Sequence, residues 1–197
     1  GLWVNPCGSI HLAHRDDEWI VLQEFAERAP ALGYTCELLT PGQVRERTPA
    51  ANPEGLLGGL FSETELGVNP VKATRTLPAY LAKAFGVRFE FETTVTEVSD
   101  GWVQAADGRT WPMDRVIVCG GADFETLYPK IFHAAGLRRC KLQMFKTGPQ
   151  PAGWKLGPHL ASGLTLRHYA NFGICPSIDA LRRRIATETP ELDRFGI

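Results

Sequence analysis

The feature that most constrains the fold is the stretch DRVIVCGG, residues 114–121. Four apolar residues, Val116 to Cys119, lead directly into Gly120 and Gly121. A short apolar run that ends in glycines is typical of a strand buried on both faces, and we predict such a strand over residues 111–121. Glycines at its end let the main chain approach a ligand closely, because they carry no side chain. No glycine-rich phosphate-binding loop lies upstream, so a nucleotide site here needs further parts.

A helix and a hairpin meander lead into this strand. The helix follows VNP at residues 68–70, with Asn69 as its cap and Gly86 as its end, and Pro78 predicts a kink or a late start. Two further strands are predicted over residues 87–98 and 102–107. Asp-Gly pairs at 100–101 and 107–108 join the three strands, and such pairs favour hairpin turns. The sequence therefore predicts one unit of helix, meander and buried strand.

The flanking regions alternate between strands and helices. A strand is predicted over residues 8–14, followed by a helix with Asp16 as its cap. A short helix should begin at Thr40, which forms a capping box with Gln43, and a strand is predicted over 55–61. After the meander we predict strands over 137–148 and 159–172 and a helix over 177–186. This order predicts a mixed α/β fold of the α+β kind.

Composition excludes several classes of function. The formal net charge of −1 shows no basic excess for binding nucleic acid, and no apolar run is long enough to span a membrane. The cysteines are scattered and never spaced C-x-x-C, which favours reduced thiols in a cytoplasmic protein. His11 and His14 lie three apart on a predicted strand and should face opposite ways, so no metal site is expected. Trp3 and His11 are candidates for the mouth of a pocket, but a packing role is the favoured interpretation of both.

A polar alternation marks the predicted strand 159–172. Thr165, Arg167, Tyr169 and Asn171 should share one face of this strand. The planar guanidinium of Arg167 is suited to bind a carboxylate or phosphonate in bidentate fashion, and Tyr169 adds a hydroxyl donor. His168 would contribute from the neighbouring surface. The alternative is a solvated polar face, which is common in antiparallel sheets and is favoured for Thr165 and Asn171.

In its motifs the chain resembles the FAD-dependent amine and amino-acid oxidoreductases of the D-amino-acid oxidase, glycine oxidase and sarcosine oxidase type. The resemblance rests on five stretches in the order GVNPVKATRTL, FETTVTEV, DRVIVCGGADFETL, RRCKLQMFKT and LRHYANF. Within that superfamily the chain is most similar to a bacterial branch found beside phosphonate-degradation genes. The resemblance covers nearly the whole chain but only the middle of such a protein. We therefore interpret the chain as an internal part of a longer enzyme.

The resemblance implies a domain division and a cofactor site. Residues 68–136 correspond to the middle segment of a discontinuous FAD-binding domain, while 1–67 and 137–197 correspond to a substrate domain with a mixed or antiparallel sheet. The backbone of Val95 would meet the adenine of FAD. Gly120, Gly121 and Ala122 would form a small-residue turn near the cofactor. The alternatives are an ordinary strand valine and a plain strand-to-helix turn.

The resemblance also implies a reaction. The C–H next to the nitrogen of a small amine or amino acid would lose a hydride to FAD, and water would hydrolyse the resulting imine. The substrate would be a small amine that carries an anion, such as an aminophosphonate or an N-methyl amine. No catalytic side chain is predicted, since the flavin carries the chemistry. Two alternatives stay open: a ligand-binding remnant of the fold without catalysis, and a dehydrogenase that passes electrons to an acceptor other than oxygen.

Overall fold

The computed structural model describes residues 3–192 and divides the chain into two compact units. Unit 1 comprises residues 1–77 and 145–197, and unit 2 comprises residues 78–144. The fold is mixed α/β, as the sequence predicts. The domain boundaries expected after residues 67 and 136 stay a prediction about the whole enzyme. The two units are described separately.

Unit 1 is built on a four-stranded mixed sheet in the order β3–β4–β2–β9. Its strands are β2 (Ser9–Ala13), β3 (Glu37–Leu39), β4 (Gly58–Ser62) and β9 (His159–Ala161). Strand β2 pairs antiparallel with β4 and parallel with β9, so Ser9 lies beside both Ser62 and His159. A separate pair joins β1 (Val4–Asn5) to β5 (Gly67–Val68). The strand predicted over 8–14 is confirmed.

Side chains of β2 alternate between two cores, because successive residues of a strand point to opposite faces. Ile10 and Leu12 pack with Leu39 and with Val44 of helix α2 (Pro41–Arg47). Ala13 faces the other core, which helix α1 (Asp16–Arg28) covers with its own apolar stripe. That stripe consists of Val21, Leu22 and Phe25.

Of the caps predicted for helices α1 and α2, one is confirmed and one is wrong. The capping box of α2 is confirmed, since the Gln43 N–H donates to Thr40 Oγ1 and the Thr40 N–H donates to the Gln43 side chain. Asp16 as cap of α1 is wrong: Arg15 holds the cap position and Asp16 begins the helix. Acidic residues still fill the first turn, where the helix dipole favours negative charge.

The strand predicted over residues 159–172 is wrong beyond Ala161. The chain instead forms two 3-10 helices, Gly163–Arg167 and Ala170–Ile174, followed by α5 (Ile178–Glu188). The reason is a spacing of three in the buried residues, which suits a 3-10 helix because side chains at i and i+3 lie above one another. The buried members of this series are Leu166, Phe172, Cys175, Ile178 and Leu181. The polar alternation in residues 165–171 is therefore not the face of a strand.

Two carboxylates of α1 hold the C-terminal segment in place. Glu18 is 8% exposed and accepts hydrogen bonds from the His14 N–H at 3.0 Å and from Arg184 of α5 at 3.3 Å. Six residues further along the helix, Glu24 accepts hydrogen bonds from both the N–H and the hydroxyl of Ser177, at 2.9 and 2.7 Å. Ser177 is the cap residue of α5, so Glu24 binds the start of that helix. Charged contacts thus join residues more than 150 positions apart.

Unit 2 contains the predicted meander. Its strands are β6 (Val95–Ser99), β7 (Trp102–Ala105) and β8 (Thr110–Pro112), paired in that order. The two predicted turns are confirmed by left-handed backbone at Gly101 (φ 82°) and Gly108 (φ 87°). The first strand is shorter than the predicted 87–98. Helix α3 (Pro70–Phe85) precedes the meander, with its first eight residues in unit 1, and α4 (Pro129–Ala134) follows it.

Helix α3 begins where the sequence predicts, so the late start suggested by Pro78 is wrong. Asn69 Oδ1 accepts a hydrogen bond from the Lys72 N–H at 3.0 Å, which confirms the predicted cap. The helix ends at Gly86, which adopts left-handed backbone with φ 68°. Pro78 lies within one continuous helix.

Two predicted strands are wrong for a common reason. Val116–Cys119 and the whole of 137–148 form no strand, and Ile117 is 80% exposed while Phe145 is 93% exposed. A strand requires a hydrogen-bonded neighbour. Within residues 3–192 no such neighbour pairs with either stretch. Their apolar side chains therefore remain largely uncovered.

A membrane crossing by a helix is not indicated. Within residues 3–192, every helix is too short or too polar to span a bilayer.

We predict that Gly163→Ala destabilises unit 1 by about 1–3 kcal/mol, because overpacking a buried site forces its neighbours to shift. A Cβ at residue 163 would lie 2.1 Å from the carboxyl carbon of Glu18, which is buried and held by Arg184. Gly173→Ala is the matched control, since its Cβ would meet nothing within 4 Å. Urea unfolding of both variants measures the difference. Equal free energies of unfolding would contradict the role given to Gly163.

Candidate functional site

Unit 2 contains a cavity of about 610 Å³ between the meander and the segment that follows it. Val95 and Gly120, two of the predicted cofactor residues, lie in its wall. Gly121 and Ala122 continue the same turn but do not line the cavity. Most of the remaining wall is aliphatic or aromatic, with residues such as Val98, Val103, Val116, Ile117, Val118, Leu127 and Phe132. This cavity suits a flat apolar group.

The backbone in the wall of this cavity is irregular near Val95 and near Gly120. The pairing register of β6 with β7 shifts between Val95 and Glu97, which leaves Thr96 outside the ladder. Such bulges redirect the chain and are frequent beside functional sites. Gly121 has left-handed backbone (φ 59°), and a Cβ on Gly120 would meet only the Asp123 carbonyl, at 3.6 Å. The main chain of the turn at residues 120–121 is therefore not covered by side chains of its own.

Unit 1 contains a second cavity, of about 370 Å³, on one face of the sheet. Ser9 and His11 of β2 share this face with the residues of β9 that lie beside them, His159 and Ala161. The first 3-10 turns after β9 bring three further side chains to the cavity, and the loop after β4 brings one. These are Tyr169, Asn171, Phe172 and Glu65.

His11 lines this cavity, although the sequence favours a packing role for it. Its Nε2 is buried and has no hydrogen-bond partner within residues 3–192. Leaving a buried polar atom unpaired costs about 1–3 kcal/mol. Burial lowers the pKa of the imidazole, which favours the neutral ring. One feature of the sequence points to this position. His11 alternates with Ile10 and Leu12 along β2, so it lies on the face of the strand that also carries Ala13.

Aromatic rings surround His11. The Phe172 ring lies edge-on with its centroid 5.3 Å from that of the imidazole, and the Tyr169 ring lies edge-on at 6.2 Å. Edge-to-face contacts of this kind add about 0.5–1.5 kcal/mol beyond area burial. Phe172 is buried, whereas Tyr169 is 54% exposed. The imidazole of His11 thus contacts the buried ring of Phe172 and the partly exposed ring of Tyr169.

The predicted substrate residues are not all brought to one place. Tyr169 and Asn171 line the cavity of unit 1, but Arg167, His168 and Thr165 do not. Arg167 ends the first 3-10 helix, and its Nε donates to His168 Nε2 at 3.3 Å. The shared strand face proposed for Thr165, Arg167, Tyr169 and Asn171 is therefore wrong. The substrate roles of Arg167, His168 and Tyr169 stay predictions.

The described residues provide no other evident reactive centre. Within residues 3–192, no group of three His, Cys, Asp or Glu side chains is placed to hold a metal. Cys175 is buried, and burial raises the pKa of its thiol to about 11. This cysteine therefore stays a protonated thiol in the core and is a poor nucleophile.

Comparisons with known proteins agree with this architecture. Residues 2–185 match the profile of the DAO family, described as FAD dependent oxidoreductase. A search of curated proteins found no match. Among solved structures, L-proline dehydrogenase from P. horikoshii shares 21% identity and gives a TM-score of 0.64, covering 82% of this chain and 44% of that chain.

Two glycine oxidases are also similar in structure. The enzyme from Geobacillus kaustophilus shares 22% identity with a TM-score of 0.55, covering 66% of this chain and 35% of that chain. The enzyme from Bacillus cereus ATCC 14579 shares 20% identity with a TM-score of 0.52, covering 62% of this chain and 34% of that chain. At these identities the likeness shows the fold alone. The chain spans less than half the length of each of these structures.

We predict that His11→Phe stabilises unit 1 by about 1 kcal/mol at pH 7, because it removes an unpaired buried nitrogen and retains an aromatic ring. The stability of the wild type should also fall as the pH drops below 6.5, since the unfolded chain then binds a proton that the folded chain resists. His11→Phe should reduce that loss. Urea unfolding at several pH values measures both effects.

His14→Phe is the matched control, because His14 Nε2 already contacts the Asn52 carbonyl oxygen at 3.1 Å. This control should gain no stability. A His11→Phe variant less stable than wild type would show that the imidazole has a structural partner.

Proposed function

Because the chain belongs to the DAO family of FAD dependent oxidoreductases, we propose that the whole enzyme uses FAD to oxidise a small amine or amino acid. The observation that carries this proposal is the family match over residues 2–185. The names of the similar structures, glycine oxidase and L-proline dehydrogenase, support an amino acid or related amine as the substrate class. The finer proposal is a primary or N-methyl amine that carries an anion, such as an aminophosphonate.

The cavity of unit 2 is the proposed site for part of FAD. Its apolar wall suits an adenine ring, and the backbone at Val95 offers the polar groups of an interrupted strand. The glycine turn at 120–121 lets main chain come close to a nucleotide without steric conflict. Among the described residues, Arg115 is the one basic side chain in this wall. We assign Val95, Gly120, Gly121 and Ala122 to the nucleotide end of the cofactor.

The protein's part in the reaction is to bind, orient and exclude water. When bound, FAD supplies the acceptor for the hydride that leaves the C–H next to the substrate nitrogen, and water then hydrolyses the imine. The substrate amine must be neutral to release this hydride, which a partly dry site favours. Arg167 is proposed to hold the anionic end of the substrate, with His168 and Tyr169 beside it.

We predict that Gly120→Val lowers the FAD content of the full-length enzyme at least several-fold, because two methyl groups would occupy the cavity of unit 2. Ala135→Val is the matched control: it adds similar bulk in the same unit at an exposed position outside the cavity. Absorbance of the purified protein reports the bound flavin. Equal FAD content in both variants would remove Gly120 from the cofactor site.

The reaction is tested by anaerobic addition of amines to the full-length wild-type enzyme. Reduction of the bound flavin by amino acids, N-methyl amines or aminophosphonates supports the proposal and ranks the substrate classes. Hydrogen peroxide formed in air identifies an oxidase, whereas reoxidation by a quinone or dye alone identifies a dehydrogenase. A bound flavin that none of these amines reduces would overturn the proposed reaction.

A further inference from the structure

The segment that leads into β6 carries a strained residue next to the wall of the cavity in unit 2. Glu92 has left-handed backbone (φ 52°), which a residue other than glycine adopts at a cost and keeps only where neighbouring contacts hold it. Directly after it, Thr93, Thr94 and Val95 line the cavity. The conformation of this wall therefore depends on the contacts that hold the chain at Glu92.

Arg109, in the turn between β7 and β8, bridges the two sides of Glu92. Its Nη1 donates to Glu90 Oε2 at 3.1 Å, and its Nη2 donates to Thr93 Oγ1 at 2.9 Å. The Thr93 hydroxyl in turn donates to the Phe91 carbonyl oxygen at 2.9 Å. The rigid fork of donors in a guanidinium group thus joins a residue before the strained position to the residue after it.

Arg109 is itself fixed to its own turn. Its backbone N–H donates to Asp107 Oδ1 at 3.1 Å and its Nε donates to Asp107 Oδ2 at 2.8 Å. These two hydrogen bonds lower the pKa of the Asp107 carboxyl, so Asp107 is an anion at neutral pH. The guanidinium also lies over the Trp111 ring, 5.3 Å from its centroid. The main chain adds a further link, since the Ala106 N–H donates to the Thr94 carbonyl oxygen at 2.8 Å.

We propose that Arg109 is a positioning residue for the cofactor: it holds the segment 90–94 against the turn between β7 and β8, and so keeps the wall around Val95 in the conformation that binds FAD. The inference rests on the proposed use of FAD and adds a residue outside the lining of the cavity. A protein whose binding-competent conformation is only partly populated binds its ligand more weakly in proportion to that fraction. Arg109 acts by raising this fraction.

The test is a titration of the flavin-free, full-length enzyme with FAD, followed by the quenching of flavin fluorescence. Arg109→Ala should raise the dissociation constant for FAD about tenfold, because the segment is then competent in only a fraction of the molecules. Arg109→Lys should give an intermediate value, since an ammonium group lacks the fork that reaches both Glu90 and Thr93. Hydrogen exchange of the amides of residues 92–95 in the same flavin-free proteins should be faster in Arg109→Ala.

Arg88→Ala is the matched control. Arg88 also donates to Glu90, at 3.1 Å, but both residues belong to the same segment, so this pair does not join the segment to the turn. Arg88→Ala should bind FAD as tightly as the wild type does.

Chemical rescue separates positioning from a general loss of stability. Guanidinium chloride at millimolar, non-denaturing concentration should restore part of the FAD affinity of Arg109→Ala, because the free ion can occupy the place of the missing side chain. Sodium chloride at the same concentration should not. Where Arg109→Ala does not fold, Arg109→Lys carries the same comparison with the wild type.

Four results would overturn the proposal: equal FAD affinity in Arg109→Ala and wild type, an equal loss in Arg88→Ala, unchanged hydrogen exchange at residues 92–95, or no greater gain from guanidinium than from sodium chloride. Failure of the proposed function gives a different pattern. A wild-type enzyme that takes up no FAD would overturn the cofactor and this role together. Equal uptake by wild type and Arg109→Ala would leave the cofactor in place and remove Arg109 alone.

Discussion

The structure of unit 1 depends on a carboxylate that is almost fully buried. Glu18 accepts from the backbone of His14 and from Arg184, and its side chain packs where residue 163 has none. Removing one partner of a buried ion pair commonly costs about 3–5 kcal/mol, because the other charge is left without compensation. The two 3-10 helices and α5 are thereby fastened to α1. The second 3-10 helix carries Asn171 and Phe172, and Tyr169 caps its start, so this contact helps to hold three residues that line the cavity around His11.

Local chemistry in the sequence was sufficient to predict many elements. The capping box at Thr40, the Asn69 cap and the two Asp-Gly turns are each specified within a few residues, and all of them are present in the structure. Such features depend on neighbouring backbone groups and need no distant partner. The start of helix α3 and the two turns of the meander could therefore be predicted, whereas the first strand, predicted over 87–98, begins only at Val95.

The failures arose where distant contacts decide the conformation. In residues 159–172 the polar alternation favoured a strand, but the buried series from Leu166 to Leu181 has a spacing of three and determines the outcome. In residues 114–121 the composition of a strand is present, but pairing depends on a second strand that residues 3–192 do not supply. Likewise, Glu65 and His11 line the same cavity because β2 pairs with β4. No local sequence pattern predicts that these two residues lie near one another.

The uncovered segment Val116–Cys119 has a consequence for handling the protein. These four apolar, largely β-branched residues pair with no strand within residues 3–192, and an unpaired apolar stretch is a template for pairing with another chain. Short runs of this composition are also prone to aggregate into stacked sheets. Any preparation in which this segment stays uncovered should therefore associate in a concentration-dependent way. Solubility during expression would then be governed by how quickly the segment acquires a neighbouring strand, more than by the stability of either unit.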